Sequence, residues 1–451
     1  MKIYFAIAAE VFRLRWCYVL VTYFVLPFAL GRLFWRSRHQ PAYRLRWRER
    51  LGIYPQPAES SPATVVFHAV SVGEVHAAKP LIEAFMSARP DCRIVLTCAT
   101  PTGSARVRQL FGNRVEHVYL PWDLPSATRR FVQYYAPDLL VLLETELWPG
   151  LLDACTRSGC QVVLANARLS EKSRAGYARI SSLTRRILGQ LTLVTAQSEA
   201  DAKRFVSLGL DPDRLRINGS LKFDHRMNND QLSRARQTRE GWGERPVWIA
   251  ASTREGEDIK VLEAFAQALE TEQELLLVLV PRHPERFRSA EQLAKSEGLL
   301  VQRSSAGDGL QAGIQVLIGD TMGELTYYYA LADIAFVGGS LVDTGCQNVI
   351  EPAALGLPVI IGPSRYNFQS ITDELIAAQA LQVVDNSIEL GHAVVSLVEL
   401  PGLRQSMGER AKQVVARNQG ATERLTEMVI GLMGRSGESI LPEGEHRQDY
   451  S

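Results

Sequence analysis

The sequence predicts an α/β protein of two Rossmann-like halves, each built on a parallel sheet, preceded by an N-terminal membrane-anchoring helix. Three observations predict it. Short apolar runs alternate with longer amphipathic stretches, as successive βαβ units require. One polar, charge-rich stretch, 224–244, breaks that rhythm near the middle of the chain. An uncharged run from Trp16 to Gly31 stands directly before seven arginines that fall between Arg32 and Arg50.

The N-terminal segment carries most of the charge information. Formal net charge is only +1, yet the first 60 residues hold ten Lys+Arg against three Glu, a net of +7. The rest of the chain, with 40 basic against 46 acidic residues, is −6. Arginines clustered beside an apolar run point to anionic lipid headgroups, not to nucleic acid. The 16 residues of the run would span about 24 Å as a helix, short of the ~30 Å hydrocarbon core. Trp16, Tyr18, Tyr23 and Trp35 supply interfacial aromatics, and flanking arginines can snorkel. The reading is a marginal transmembrane or deeply inserted monotopic helix, with the Arg-rich side cytoplasmic. Glu10 and the arginines after Gly31 argue against a cleaved signal peptide.

Residues 1–50 are therefore expected to form the anchor and basic juxtamembrane segment, with a Pro/Ser-rich linker following at 54–62. The first Rossmann-like domain is expected over 51–235, with strands at 64–69, 93–97, 115–120, 139–143, 161–165 and 191–196. The second is expected over 236–430, with strands at 247–251, 274–280, 315–318, 334–337 and 359–361. Residues 431–451 read as a flexible tail. Two such halves imply an interdomain cleft, the GT-B layout of many glycosyltransferases, which epimerases and phosphorylases share.

The most informative local feature is the passage from 64 to 80, where a β-branched strand gives way to Ser71-Val-Gly73-Glu74 and then to Pro80, placed to stop or restart a helix. Glu74 thus falls at the carboxyl end of a strand, where open α/β sheets bind ligands. It is a candidate catalytic base, although a helix-start glutamate favoured by the macrodipole gives the same pattern. Glu144, first after its buried run, Arg168 and Lys222 add polar groups at further strand ends. His68 reads as a core or cleft residue.

In the second half, the small residues of Gly338-Gly339-Ser340 after a strand permit close backbone approach, and the helix opened by Asn348-Val349-Ile350-Glu351 offers unpaired N–H groups at its N-terminus to a phosphate. Glu351 could accept from ribose hydroxyls. Pro281-Arg282 and Met322-Gly323-Glu324 follow other strand ends, and Arg282 has the fork suited to a phosphate.

The six cysteines form no CxxC pair and the eight histidines no HExxH, so neither metal site nor disulfide framework is expected. No GxSxG, GxxxxGK[ST] or GxGxxG pattern appears. Serine hydrolase, P-loop and nicotinamide readings lose support.

Taken together, His68-Ala-Val-Ser-Val-Gly-Glu74, Thr100-Pro-Thr-Gly103, Glu144-Thr-Glu-Leu-Trp-Pro149, Gly219-Ser-Leu-Lys-Phe-Asp224, Pro281-Arg-His-Pro284, Gly319-Asp-Thr-Met-Gly-Glu-Leu325 and Phe336-Val-Gly-Gly-Ser-Leu341 resemble the 3-deoxy-D-manno-octulosonic acid (Kdo) transferases over almost the whole chain. The resemblance implies a metal- and cofactor-independent, inverting transfer of Kdo from CMP-Kdo to the lipid A precursor (lipid IVA) in lipopolysaccharide biosynthesis, at the cytoplasmic face of a cell inner membrane. It implies Glu74 as proton acceptor, and Pro281, Arg282, Met322, Gly323, Glu324, Asn348, Val349, Ile350 and Glu351 as CMP contacts. Ser71, Gly73, Glu144, Arg168 and Lys222 are candidate cleft or acceptor contacts. Two departures stand out: Gly345-Cys346-Gln347-Asn348 replaces the family's usual Gly-Gly-His-Asn, and Ser252-Thr-Arg254-Glu255 its Ser-Thr-His-Glu. Both lose an imidazole that titrates near neutrality. The alternatives are a membrane-associated transferase of another nucleotide sugar and a nucleotide-sugar 2-epimerase.

Overall fold

The computed structural model describes residues 2–54, 63–224, 227–307 and 309–434, with side chains from residue 15 onward. The linker after Tyr54 and the tail beyond 434 lie outside the described residues.

The chain forms two compact units: residues 1–224 with 420–451, and residues 225–419. The first holds β1 (Thr64–His68), β2 (Arg93–Cys98), β3 (Glu116–Tyr119), β4 (Leu139–Leu143), β5 (Gln161–Ala167), β6 (Leu193–Ala196) and β7 (Leu215–Ile217). They form one sheet in the order β3-β2-β1-β4-β5-β6-β7, all pairs parallel. β1 and β4 are buried at every position, because helices cover both faces of a parallel sheet and a strand there must be apolar on both sides.

The second unit repeats the plan with β8 (Val247–Thr253), β9 (Leu276–Pro281), β10 (Val301–Arg303), β11 (Val316–Ile318), β12 (Ile334–Val337), β13 (Val359–Ile361) and β14 (Leu381–Val383). Their order is β10-β11-β9-β8-β12-β13-β14, again all parallel. Two seven-stranded α/β sheets are the expected GT-B architecture. The strands that sequence reading misses are β7, β10 and β14. Each is a three-residue strand at a sheet edge, only partly buried, so it lacks the continuous apolar run of a central strand.

Three local expectations change. The helix that carries Glu74 on its first turn, α2 (Val72–Ala88), runs through Pro80. Burying Ala78, Leu81, Ile82 and Phe85, at roughly 1.5–3 kcal/mol for each large side chain, outweighs the ~3 kcal/mol that an interior proline costs. Asn228-Asn229-Asp230 opens the helix Asn229–Glu240 instead of breaking the chain: Asn228 Oδ1 accepts the N–H groups of Asp230 and Gln231. Thr238 bonds Tyr327 at 3.1 Å and Arg239 pairs with Asp333, so this helix belongs to the second unit. Finally, the helix Ala421–Met433 packs on α2 in the first unit, with Ala421, Leu425 and Val429 in one core with Val75 and Leu81. Asp224 holds its start, accepting the N–H groups of Gly420, at 2.7 Å, and Thr422. The units therefore divide after 224 and 419, where the sequence suggested 235 and 430.

The N-terminal helix α1 (Lys2–Arg36) is continuous. Its stretch Arg15–Arg36 is long and apolar enough, by length and composition, to cross a membrane. One stripe, including Tyr18, Val19, Thr22 and Leu26, is half-buried, and Tyr18 Oη donates to Asp123 Oδ2 at 2.7 Å. Arg15 pairs with Asp153 at 2.7 Å. The other face exposes Trp16, Leu20, Val21, Phe24, Val25 and Phe28.

Candidate active site

In the first unit the loop between β1 and α2 places Glu74 on the first turn of the helix, half-buried. Ser71 is the N-cap and accepts the Glu74 N–H at 3.4 Å. Its hydroxyl donates to Glu74 Oε1 at 3.0 Å, and the Val70 N–H donates to Oε2 at 2.8 Å. The pattern is a variant of the capping box, with the glutamate reaching one residue further back. Yet a capping role does not account for its ionisation. Burial, joined by repulsion from Glu144 and Glu146, raises the Glu74 carboxyl to about 7, against the pull of the Val70 N–H and the Ser71 hydroxyl. A carboxyl poised near neutrality is what proton abstraction at physiological pH requires.

Glu144 follows β4 with φ +59°, and Asn166, within β5, has φ +53°. Left-handed backbone at a non-glycine residue costs of order 1–3 kcal/mol and gathers at functional sites. Asn166 is held there by its side chain, which accepts the Leu221 N–H at 3.1 Å. That bond sets the short turn carrying Lys222, whose Nζ lies 3.9 Å from Glu144 Oε1. Thr145 Oγ1 donates to the Arg168 carbonyl. Ser71, Glu74, Glu144, Arg168 and Lys222 are thus gathered at one carboxyl edge of the first sheet. Gly73 is not demanded by packing: a Cβ there would meet nothing nearer than Ser71 Oγ at 3.8 Å. His68 is a core residue, its Nδ1 2.8 Å from Thr97 Oγ1, and burial lowers its pKa to about 4.

In the second unit the residues at the strand ends take different parts. Arg282 bonds through its backbone N–H to the Thr253 carbonyl at 3.0 Å. Its side chain is exposed and, among the described residues, makes no ion pair or hydrogen bond. Asn348 Nδ2 donates to Glu351 Oε1 at 2.9 Å, and Asn348 Oδ1 accepts the Ile350 N–H at 3.0 Å. The side chains of Val349 and Ile350 are buried, which leaves only their backbone to touch a ligand. Met322 is exposed and Gly323 adopts φ +80°. Burial acts to raise the Glu324 carboxyl, but bonds from Thr321 and Arg234 outweigh it and lower the pKa.

The Gly-Gly-Ser turn, read from sequence as a place of close backbone approach, is itself approached by a side chain of the same unit. Glu257, fully buried, accepts the N–H groups of Gly339 at 2.6 Å, Ser340 at 2.9 Å, Leu341 at 2.9 Å and Arg254 at 2.8 Å. An internal carboxylate therefore fills the backbone nest of this turn. Gly338 is required beside it, since a Cβ would lie 2.7 Å from Thr253 Cα and 2.9 Å from Glu257 Oε2. Sequence reading missed Glu257; the only sign of it was an acidic pair, Glu257-Asp258, at a helix start.

The two departures are also explicit. Arg254 Nη1 donates to His283 Nε2 at 2.8 Å, and because a guanidinium offers no acceptor, His283 is the neutral acceptor in that pair. Gln347 bonds through its N–H to the Gly338 carbonyl at 3.0 Å. Cys346 is buried, which pushes its thiol up to about 11. Among the described residues no cluster of three or more His, Cys, Asp or Glu is arranged to hold a metal ion.

Comparison with known proteins is consistent over nearly the whole chain. The family model for 3-deoxy-D-manno-octulosonic-acid transferase (kdotransferase) matches residues 45–225. A 3-deoxy-D-manno-octulosonic acid transferase of Haemophilus influenzae is 39% identical over 402 residues, covering 89% of this chain and 94% of the relative. One of Bordetella pertussis is 39% identical over 383 residues, covering 82% and 88%. Among solved structures, the UDP-GlcNAc 2-epimerase of Neisseria meningitidis bound to UDP-GlcNAc aligns with TM-score 0.57 at 13% identity, over 82% of this chain and 100% of that one. A glycosyltransferase of Rickettsia africae aligns with TM-score 0.55 at 13% identity, over 83% and 99%. At such identity the structures show the fold alone, whereas the two relatives decide the family. The chain belongs to the 3-deoxy-D-manno-octulosonic acid transferases and is a glycosyltransferase of lipopolysaccharide biosynthesis.

Proposed function

We propose that this chain transfers Kdo from CMP-Kdo to the lipid A precursor, lipid IVA, with inversion at the anomeric carbon, and that Glu74 is the base. The acceptor hydroxyl oxygen bonds to the anomeric carbon as the bond from that carbon to the CMP phosphate oxygen breaks. The electron pair leaves with CMP and the hydroxyl proton passes to Glu74. The observation that carries this reading is the place of Glu74, half-buried on the first turn of α2 after the carboxyl end of β1 and held by Ser71 and the Val70 N–H, where burial pushes its carboxyl up to about 7, basic enough to take a proton.

The remaining residues divide between the two substrates. Ser71, Gly73, Glu144, Arg168 and Lys222, from the same unit as Glu74, serve the acceptor. Arg282, whose side chain is exposed and, among the described residues, without an ion pair, supplies the fork for the departing phosphate. The Asn348–Glu351 pair offers acceptors to ribose hydroxyls, while Pro281, Met322, Gly323, Glu324 and the backbone of Val349 and Ile350 frame the nucleotide. The Gly-Gly-Ser N–H groups are held by Glu257, so the phosphate is met by Arg282 together with N–H groups at the helix start after Asn348.

The outward apolar face of α1 and the basic segment after it support attachment to anionic lipids at the cytoplasmic face of the inner membrane, where a lipid acceptor is presented. A membrane-fraction assay with CMP-Kdo and lipid IVA, following the lipid by mass, tests the whole reading. A mass increase of one or more Kdo residues is expected. No shift with intact substrates and folded protein would overturn it.

A further inference from the structure

Three arginines follow the ends of β8 and β9, and the second unit supplies an acid to one of them. Arg286 pairs with the buried Asp258 and donates to the Thr253 carbonyl at 2.8 Å. Arg282 has no ion pair among the described residues. Arg254 has none either: its side chain is half-buried, its Nε is buried without a partner, and its guanidinium donates, from Nη1, to the neutral His283 Nε2 at 2.8 Å. Glu255 and Glu285, which stand close in sequence, are exposed and bond to neither of these two guanidiniums. The backbone is bent to hold Arg254 there. The register of β8 against β9 shifts between Ala251 and Thr253, and Ser252, at the shift, takes φ +58°. A bulge at a strand end re-aims the side chains beside it, and left-handed backbone at a serine costs of order 1–3 kcal/mol. Pairing resumes at once, with Thr253 opposite Pro281 and the Arg282 N–H on the Thr253 carbonyl at 3.0 Å. Glu257 fixes the Arg254 N–H at 2.8 Å. Arg254 thus reaches from the end of β8 to the residue that follows Arg282, so two guanidiniums without an acid stand on neighbouring strand ends.

We propose that Arg254 binds the carboxylate of the donor's sugar acid while Arg282 meets the phosphate, and that His283 is a positioning residue for Arg254. The inference rests on the reading of CMP-Kdo as the donor. That molecule carries two anionic groups, the nucleotide phosphate and the carboxylate of the octulosonic acid, and these strand ends present two guanidiniums to match them. A planar guanidinium fork meets a carboxylate through two parallel N–H···O bonds. A neutral imidazole holds the fork in place without cancelling its charge. An aspartate in that role, as Asp258 is to Arg286, would leave it little to offer an anionic ligand. The pair therefore selects a sugar bearing a carboxylate over a neutral sugar on the same nucleotide.

The test titrates the full chain in detergent, without acceptor lipid, with CMP, with CMP-Kdo and with a CMP-Kdo analogue whose sugar carboxylate is a primary amide, following the heat of binding. Wild type should bind the acid about tenfold or more tightly than the amide, as loss of charge-assisted hydrogen bonds predicts. Arg254→Gln should bring acid and amide within about twofold of each other and leave CMP affinity as in wild type, which also reports that the variant is folded. Arg282→Gln should weaken all three ligands together. His283→Ala should narrow the ratio of acid to amide without changing CMP affinity, a change that a merely structural role would not produce. A folded Arg254→Gln variant that keeps the wild-type ratio, or that loses CMP as steeply as CMP-Kdo, would overturn the site with CMP-Kdo still the donor. Should Arg254→Gln fail to fold, the His283→Ala ratio decides, and a wild-type value there overturns the site. Failure of wild type to bind CMP-Kdo while it binds CMP would overturn the donor reading itself, and this site with it.

Discussion

Ser71 and Glu74 hold each other: the serine hydroxyl accepts the glutamate N–H at 3.4 Å and donates to its carboxylate at 3.0 Å. The arrangement fixes the carboxylate at the start of α2 without neutralising it, since its other neighbours include Glu144 and Glu146. One short motif therefore both starts a helix and orients the proposed base.

The pH dependence of transfer follows from that environment. Glu74 must be ionised to accept a proton, so kcat should rise with pH along a limb centred at about 7 and level off above it. Glu144 contributes to raising that pKa; Glu144→Gln removes a negative charge and should move the limb to lower pH. A pH–rate profile of both proteins, under saturating donor, checks the direction. A limb that stays in place or moves upward contradicts the assignment.

Glu257 makes the second prediction. Its carboxylate accepts four backbone N–H groups, and an amide in its place would turn N–H donors toward N–H donors. Glu257→Gln should destabilise the second unit by roughly 2–4 kcal/mol, since buried donors lose their acceptor. Thermal unfolding would register it as a lowered Tm. A Tm equal to wild type would mean that those N–H groups find other partners.

Much of the fold is legible in the sequence because the central strands are uninterrupted apolar runs, as in β4 and β12, which need no knowledge of their partners. The return of the last helix is not. Ala421, Leu425 and Val429 have the same spacing whichever sheet they cover, and the choice is fixed by distant partners such as Asp224, nearly two hundred residues earlier, on the Gly420 N–H and Asn218 on the Ala421 carbonyl. Glu74 stands out because strand, serine, glycine and acid are adjacent. Glu257 does not, because its partners arrive from the turn after β12, some eighty residues away. Close backbone approach at that turn is legible in its glycines, but which group approaches is not, because the carboxylate comes from a distant helix.

The returning helix gives a third prediction. Leu425 is fully buried between that helix and α2, so Leu425→Ala should cost about 2–5 kcal/mol. The loss should appear in unfolding of the first unit, read through hydrogen exchange in α2. Full protection of α2 in the variant would place the helix elsewhere.

The base itself is tested most directly by Glu74→Gln, which keeps the side-chain shape and a capping-box glutamine. Single-turnover transfer from CMP-Kdo to lipid IVA should slow by roughly 10²–10⁴-fold, while CMP-Kdo affinity stays within a few-fold of wild type. A variant that transfers Kdo at nearly the wild-type rate would remove Glu74 as the base.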